Sequence, residues 1–279
     1  MSDLSVRIRG MTELLLSGRG LLESLRVHDD HLYVADWSAG EILDVTTQET
    51  VATIPSLPLC FDWLPDNRMV IVQSAEGKLL HRHPDGTMTT AARLGDGTWN
   101  DITVDHNGDV YVNNSQGTIH RVRGSTTTQV ADRLAFPNGM TIVDRTLVVA
   151  ESYAHRLTAF DIAGDGLANR RTWALLDDTA APDGISVDDG TIWYADVPNK
   201  SCVRVAEGGE VLETRTVDRG AFDCVVTGTT VYVATAEWRG MTELVTPGSG
   251  QLVGIPRSSA RNAGASIRST GRNVTLERT

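Results

Sequence analysis

The sequence predicts an all-β fold, a six-bladed β-propeller, from three observations. Six short runs rich in Val, Ile, Tyr and Trp recur along the chain, each after a tight polar turn and before a second short strand-like run. They return at a spacing of about 40 residues, which is typical of one four-stranded propeller blade. No 3.6-residue apolar period is sustained, so little helix is expected. A β-sandwich needs no fixed period, and the regular return therefore favours the propeller.

The recurring runs locate the blades. They are HLYVAD at 31–36, MVIVQS at 69–74, DVYVNN at 109–114, TLVVAE at 146–151, TIWYAD at 191–196 and TVYVAT at 230–235. A propeller must close its ring, and we expect the strand-like MTELLL at 11–16 to complete the blade begun by the repeat at 222–256. A single propeller domain is therefore predicted over 1–256. The remaining stretch, 257–279, is polar and rich in Arg, and we expect it to be poorly ordered.

Length and composition exclude several classes of function. The chain of 279 residues is 41% apolar, enough for a sizeable core, and no linker-like stretch divides it. A formal charge of −11 at pH 7 argues against a nucleic-acid partner. Three cysteines without a C-x-x-C motif indicate neither a disulfide framework nor a thiolate zinc site. With no signal peptide or transmembrane run, we expect a cytoplasmic protein without a membrane partner, as a monomer or weak homodimer.

Aligning the repeats brings oxygen-bearing side chains to one level. The alignment uses the residue that closes each Val- and Tyr-rich run, and about 12 residues before it lies the start of the innermost strand of the blade. The residues found there are Glu23, Cys60, Asn100, Asn138, Asp183 and Phe222. Four of the six carry a carboxylate or amide oxygen. Because the innermost strands line the central channel, we expect these four side chains on one small ring.

A ring of two carboxylates and two amides indicates a bound cation, because burying unpartnered carboxylates costs several kcal/mol. Asn138 and Asp183 each follow Pro and precede Gly, and Gly allows a backbone to approach a site closely. The alternative for each residue alone is a turn or a cap, since Pro, Asn and Gly are common loop residues. The all-oxygen donor set favours Ca²⁺, with Mg²⁺, Mn²⁺ and Zn²⁺ as alternatives.

Four motifs follow one another in the chain: GLLES with Glu23, WNDITVD with Asn100, FPNGM with Asn138 and PDGISVD with Asp183. Through them the chain resembles, over residues 12–256, the SMP-30/gluconolactonase/LRE-like (regucalcin-type) six-bladed propellers. The diisopropylfluorophosphatase-like enzymes are similar more distantly. The resemblance implies that Glu23, Asn138 and Asp183 ligate one divalent metal ion. Asn100 would complete the site directly or through water, or contact substrate, and Asp183 would be the general base.

The resemblance implies a metal-dependent hydrolase of the lactonase type, acting on a small-molecule lactone or ester. The metal would polarise the lactone carbonyl, and attack would come from water assisted by Asp183 or from water bound to the metal. Hydrolysis of a phosphotriester or fluorophosphate at the same metal is one alternative. A calcium-binding propeller without catalysis is another.

One position departs from the family pattern in a way that concerns the substrate. Sugar-lactone hydrolases of the family typically carry Arg two residues before the asparagine of the WND motif, where this chain has Thr98, followed by Trp99. We therefore expect a less polar substrate than a sugar lactone, in contact with Thr98, Trp99 and Asn100. Further aromatic residues are candidates for the pocket wall, with packing between blades as the alternative: Trp37, Trp99, Phe136, Tyr153 and Trp238.

Overall fold

The computed structural model describes residues 12–258, which form 26 β-strands and two 3₁₀ turns, Ser74–Glu76 and Ser152–Ala154. The first half contains β1 (Glu13–Arg19), β2 (Leu22–His28), β3 (His31–Asp36), β4 (Glu41–Asp44), β5 (Glu49–Thr53), β6 (Leu59–Trp63), β7 (Met69–Gln73), β8 (Lys78–Arg82), β9 (Met88–Arg93), β10 (Trp99–Val104), β11 (Val110–Asn114), β12 (Thr118–Arg123) and β13 (Thr126–Ala131). The second half contains β14 (Pro137–Val143), β15 (Thr146–Glu151), β16 (Arg156–Ala163), β17 (Gly166–Leu175), β18 (Pro182–Asp188), β19 (Thr191–Asp196), β20 (Ser201–Val205), β21 (Val211–Thr216), β22 (Gly220–Thr227), β23 (Thr230–Ala236), β24 (Trp238–Gly240), β25 (Leu244–Val245) and β26 (Gly250–Pro256).

Six antiparallel four-stranded sheets form the blades of a propeller. Blades one to five follow chain order, as β2–β5, β6–β9, β10–β13, β14–β17 and β18–β21, and blade six has the order β22-β23-β26-β1. The innermost strands β2, β6, β10, β14, β18 and β22 each contact the next, and β22 contacts β2, so the ring is complete. The predicted all-β six-bladed propeller is therefore confirmed. The hairpin β24–β25 is an insertion in blade six.

Blade six closes the ring by joining the two ends of the described chain. Strand β1 pairs antiparallel with β26, with Leu14 opposite Val253 and Arg19 opposite Gly250. Leu16 packs against a buried cluster that includes Leu252 of β26. The strand predicted at 11–16 thus completes this blade, although it begins at Glu13 and Met11 lies outside the described residues.

The hydrophobic core lies between neighbouring blades, because each sheet turns one face to the next. Trp99 and Ile102 of blade three pack with Leu79 of blade two, and Trp193 of blade five packs with Val233 of blade six. This packing holds the innermost strands at fixed distances around the channel.

Across the described residues, no helix has the length and apolar character needed to span a bilayer.

The chain that follows β26 lies against blade five. Arg257 pairs with Asp188 at 2.7 Å, and the Ser258 N–H donates to Glu213 Oε1 at 2.7 Å. The first two residues of the predicted tail are therefore held by contacts on the neighbouring blade. The expectation of poor order for the rest of 257–279 concerns residues outside the described range.

Candidate functional site

A register irregularity at the start of the innermost strands positions the candidate site. In β2, β10, β14, β18 and β22 the pairing with the second strand is interrupted, so that an extra residue is inserted, whereas β6 pairs without interruption. Such a bulge turns side chains toward a new direction. Glu23, Asn100, Asn138 and Asp183 all lie at these irregularities. Asn138 therefore belongs to strand β14, and its place in a Pro-Asn-Gly sequence does not make it a turn residue.

The glycines after Asn138 and Asp183 allow the innermost strands of blades four, five and six to approach closely. A Cβ on Gly139 would lie 2.6 Å from Asp183 O and 2.6 Å from Ile185 N. A Cβ on Gly184 would overlap the carboxylate of Asp223. Only a residue without a side chain fits at either position. The structure therefore contains the close backbone approach that the sequence predicts at these two glycines.

The four predicted oxygen donors lie together at one end of the channel. Glu23, Asn100 and Asn138 line a single small central cavity, with Gly184 and Ile185 beside them. Asn100 Nδ2 donates to Asn138 Oδ1 at 2.8 Å. The Asn138 amide lies beside Asp183 and lowers the pKa of that carboxyl, against the larger effect of burial. The four residues that the repeat alignment selected therefore lie together in the structure, although they come from four different blades.

Neighbouring polar groups fix the position of Asn138. Its backbone carbonyl accepts a hydrogen bond from Asn113 Nδ2 at 2.6 Å. Its Nδ2 lies 3.4 Å from Ser152 Oγ, and that hydroxyl donates to Pro182 O at 2.7 Å, next to Asp183. Asn113 is fully buried and Ser152 nearly so. These contacts join blades three, four and five at the level of the candidate donors.

Burial and like charge disfavour the ionised carboxylates of the site. Burial raises the pKa of Glu23 well above its ordinary value, and the charges of Asp183, Asp223 and Asp101 raise it further. Burial also raises the pKa of Asp183, with Asp223 and Asp101 adding to the effect. Within residues 12–258 neither Glu23 nor Asp183 forms an ion pair. A cation bound between them would remove this penalty.

The sequence reasoning missed a group of charged residues one to three positions further along the same strands. Arg26, Asp101 and Asp223 line the same cavity as Glu23. Arg26 Nη2 donates to Asp101 Oδ1 at 3.0 Å, and its Nη1 lies 3.9 Å from Asp223 Oδ2. Burial raises the pKa of Asp223 to about 7, although Arg26 opposes this. The available signal was an aspartate directly after the aligned position in both WND and FDC.

Among the described residues, no group of three or more His, Cys, Asp and Glu side chains is arranged to hold a metal ion. The predicted donor set contains only two such residues, Glu23 and Asp183, and its other members are asparagines. Two carboxylates with no cationic partner beside two amide oxygens match the ligands that Ca²⁺ and Mg²⁺ take in proteins. The donor chemistry therefore fits a hard divalent cation.

Among the predicted substrate contacts, Trp99 requires a correction. Its side chain is 1% exposed and packs between blades two and three, and its indole N–H donates to Gly95 O at 3.0 Å. Packing, the stated alternative, accounts for this residue, because no face of the indole remains free for a ligand. Thr98 is exposed directly before it, and Asn100 lines the cavity.

The other predicted aromatic residues lie near the end of the channel where the innermost strands begin. Trp37 lines the central cavity. Tyr153 is 62% exposed and stacks on Phe136 with ring centroids 4.6 Å apart. Trp238, in the inserted hairpin, is 40% exposed and meets the edge of Phe222 at 5.7 Å. These aromatic residues therefore provide both packing contacts and exposed apolar surface at the entrance of the channel.

Substitution of Gly139 by Ala should destabilise the protein by about 1–3 kcal/mol, the usual cost of overpacking. The added methyl group would meet the backbone of Asp183 and Ile185, which cannot yield without moving β18. Gly166→Ala is the control, because a Cβ there meets no atom within 4 Å, and its effect should stay within about 0.5 kcal/mol. Chemical denaturation measures both. Equal stability of the two variants would contradict the close approach of β14 and β18.

Comparison with known proteins agrees with this architecture. A gluconolactonase from Xanthomonas campestris has a TM-score of 0.71 at 18% identity, with 88% of this chain and 89% of that chain covered. A regucalcin from Agrobacterium tumefaciens, described as a calcium-binding protein, has a TM-score of 0.74 at 14% identity, with 88% and 93% covered. A luciferin-regenerating enzyme has a TM-score of 0.75 at 14% identity, with 88% and 95% covered. At these identities the similarity shows the fold alone.

Sequence comparison identifies the family. A search of curated proteins finds no match. The profile of the SMP-30/Gluconolactonase/LRE-like region, however, matches residues 21–237, which is more than half of the chain and includes all four candidate oxygen donors. The chain therefore belongs to the SMP-30/gluconolactonase/LRE-like family.

Proposed function

We propose that the protein is a divalent-metal-dependent hydrolase of lactones or related neutral esters. The observation that carries this proposal is the convergence of two carboxylates and two amides, from four different blades, on one end of the channel. Membership of the family and the likeness of the fold to a gluconolactonase support a lactonase type of reaction. The two negative charges of Glu23 and Asp183 would balance one divalent cation, with Ca²⁺ favoured by the all-oxygen set.

The ion would be held by Glu23, Asn100, Asn138 and Asp183. Asn138 Oδ1 accepts a hydrogen bond from Asn100 Nδ2, and its second lone pair remains able to ligate the ion. Asn113 and Ser152 would keep the backbone and amide of Asn138 in place.

The chain's own groups would divide the work of hydrolysis. When bound, the ion would polarise the ester carbonyl and stabilise the negative charge that develops on its oxygen. Asp183 would accept the proton of the attacking water, and the neighbouring Asn138 amide would orient the carboxylate. The buried floor of the channel would limit access of other water to the reacting ester.

The entrance of the channel suggests a substrate with an apolar group. Three connecting segments lie at the end where the innermost strands begin: the loop before β14, the 3₁₀ turn after β15 and the hairpin inserted after β23. They contain Phe136, Tyr153 and Trp238, respectively. Met241, in the same insertion as Trp238, is 58% exposed. Thr98 offers no charge at the position where sugar-lactone hydrolases carry Arg. We therefore propose an alkyl- or aryl-substituted lactone in preference to a polyhydroxylated one.

Removal of divalent metal should abolish lactone hydrolysis, and added Ca²⁺ should restore it. Asp183→Asn should lower kcat/KM by about 10²-fold or more, because it removes both a negative ligand and the proton acceptor. Asp189→Asn is the matched control, since Asp189 is exposed on the adjacent turn, and it should retain full activity. The rates are followed in a pH-stat with substituted lactones and an aryl phosphotriester.

The pattern of rates distinguishes the alternatives. Undiminished lactone hydrolysis after chelation would contradict the metal-dependent mechanism. Hydrolysis of the phosphotriester without hydrolysis of any lactone would favour the phosphotriesterase alternative. Tight calcium binding without turnover of either substrate would indicate a calcium-binding propeller without catalysis.

Tyr153→Ala should raise the KM for an alkyl-substituted lactone by about 10-fold, the effect of losing part of one aromatic contact. The KM for the unsubstituted ring should change little, because the small substrate would not reach Tyr153. The control is Val211→Ala, because Val211 is 59% exposed but begins β21, at the opposite end of the blades. Equal changes for both lactones would show that Tyr153 does not contact the substituent.

A further inference from the structure

Arg26 extends into the channel from the innermost strand of blade one and contacts three blades. Its Nη2 donates to Asp101 Oδ1 at 3.0 Å and to Ile102 O at 2.8 Å, both on blade three. Its Nη1 donates to Leu25 O at 3.0 Å on its own strand and lies 3.9 Å from Asp223 Oδ2 on blade six. Its side chain is 17% exposed. The guanidinium therefore occupies a central position between strands that do not pair with one another.

The two carboxylates beside Arg26 are fixed by backbone donors. Asp101 Oδ2 accepts the N–H of Met140 in blade four at 2.7 Å. Asp223 Oδ2 accepts the N–H of Leu25 in blade one at 2.5 Å, and its Oδ1 accepts the N–H of Cys224 at 2.7 Å. These bonds join neighbouring blades and hold both carboxylates in the channel. Arg26 supplies a positive charge between them, which offsets part of the cost of burying two carboxylates.

Glu23 and Asp183 stand at the aligned position of their own strands. Asp101 and Asp223 stand one residue after the aligned position of theirs. The carboxyl groups of Glu23 and Asp183 have no cationic partner among the described residues, whereas Asp101 and Asp223 share Arg26. The channel thus contains two adjacent positions suited to a cation. One of them is occupied by a side chain of the protein itself.

We propose that Arg26 takes the place of a second metal ion, so that the channel binds one divalent cation, at Glu23 and Asp183, and excludes another from Asp101 and Asp223. The inference rests on the proposed function for the first ion. Three of the five N–H donors of the guanidinium already bond Asp101, Ile102 O and Leu25 O, so the channel itself holds the group in place. Arg26 is a specificity-determining residue that sets the number of ions.

Equilibrium dialysis against CaCl₂ tests the proposal through the number of ions bound per chain. The natural chain should bind one ion and Arg26→Ala two. Adding Asp101→Asn and Asp223→Asn to Arg26→Ala should return the number to one, because the second anionic position is then neutral. Arg123→Ala is the matched control, since it removes an arginine that pairs with the buried Asp109 outside the channel, and it should bind one.

The outcomes separate this inference from the proposed function. Two ions on the natural chain, or one ion on folded Arg26→Ala, would overturn the role of Arg26 and leave the first site standing. No ion on the natural chain but one on Arg26→Ala would support the role of Arg26 and contradict the proposed metal site. If Arg26→Ala is unfolded without metal, circular dichroism should show refolding on addition of CaCl₂. A chain that stays unfolded at millimolar Ca²⁺ would show that an ion cannot replace the guanidinium.

Discussion

An excess of carboxyl groups over cations in the central channel is the constraint on which the rest of this structure depends. Glu23, Asp62, Asp101, Asp183 and Asp223 act on one another through space, and Arg26 is the cation among them. Each unpaired buried carboxylate costs several kcal/mol, so the arrangement is stable only where donors or cations compensate it. The propeller supplies backbone donors and one guanidinium at the deeper level. At the level of Glu23 and Asp183 the described residues supply no cation, and we propose that a metal ion does so.

Three of these carboxylates also hold the blades together. Asp62 Oδ2 accepts the N–H of Val104, Asp101 that of Met140, and Asp223 that of Leu25, each from the next blade in the ring. Main-chain donors at the innermost strands have no ladder partner on the channel side, and these side chains satisfy them. Carboxylates whose burial is unfavourable therefore also fix the spacing of the innermost strands. The residues that join the blades and the candidate donors therefore lie side by side in one channel.

Much of this organisation could be predicted from the sequence. The regular return of strand-like runs was sufficient to predict the six-bladed propeller and the closure of its ring by the first strand. Glu23, Asn100, Asn138 and Asp183 could be aligned because equivalent residues of a repeat fold occupy equivalent positions. Their roles in binding metal and substrate stay predictions.

Other features of the channel could not be predicted, for two physical reasons. Arg26, Asp101 and Asp223 escaped notice because a bulge turns adjacent residues of a strand toward the same channel, which strict alternation would not allow. Trp99 was misassigned as a substrate contact because sequence position alone does not say whether an aromatic side chain turns to the entrance or to the space between blades.

The central claim is that one divalent cation lies between Glu23 and Asp183 while Arg26 holds the deeper position. A crystal structure of the protein grown with MnCl₂, with an anomalous difference map, tests it most directly. We expect one peak in the channel, within coordination distance of oxygens from Glu23, Asn100, Asn138 and Asp183, with Arg26 still bonded to Asp101. A peak between Asp101 and Asp223 with Arg26 displaced, or a channel without any peak, would contradict it.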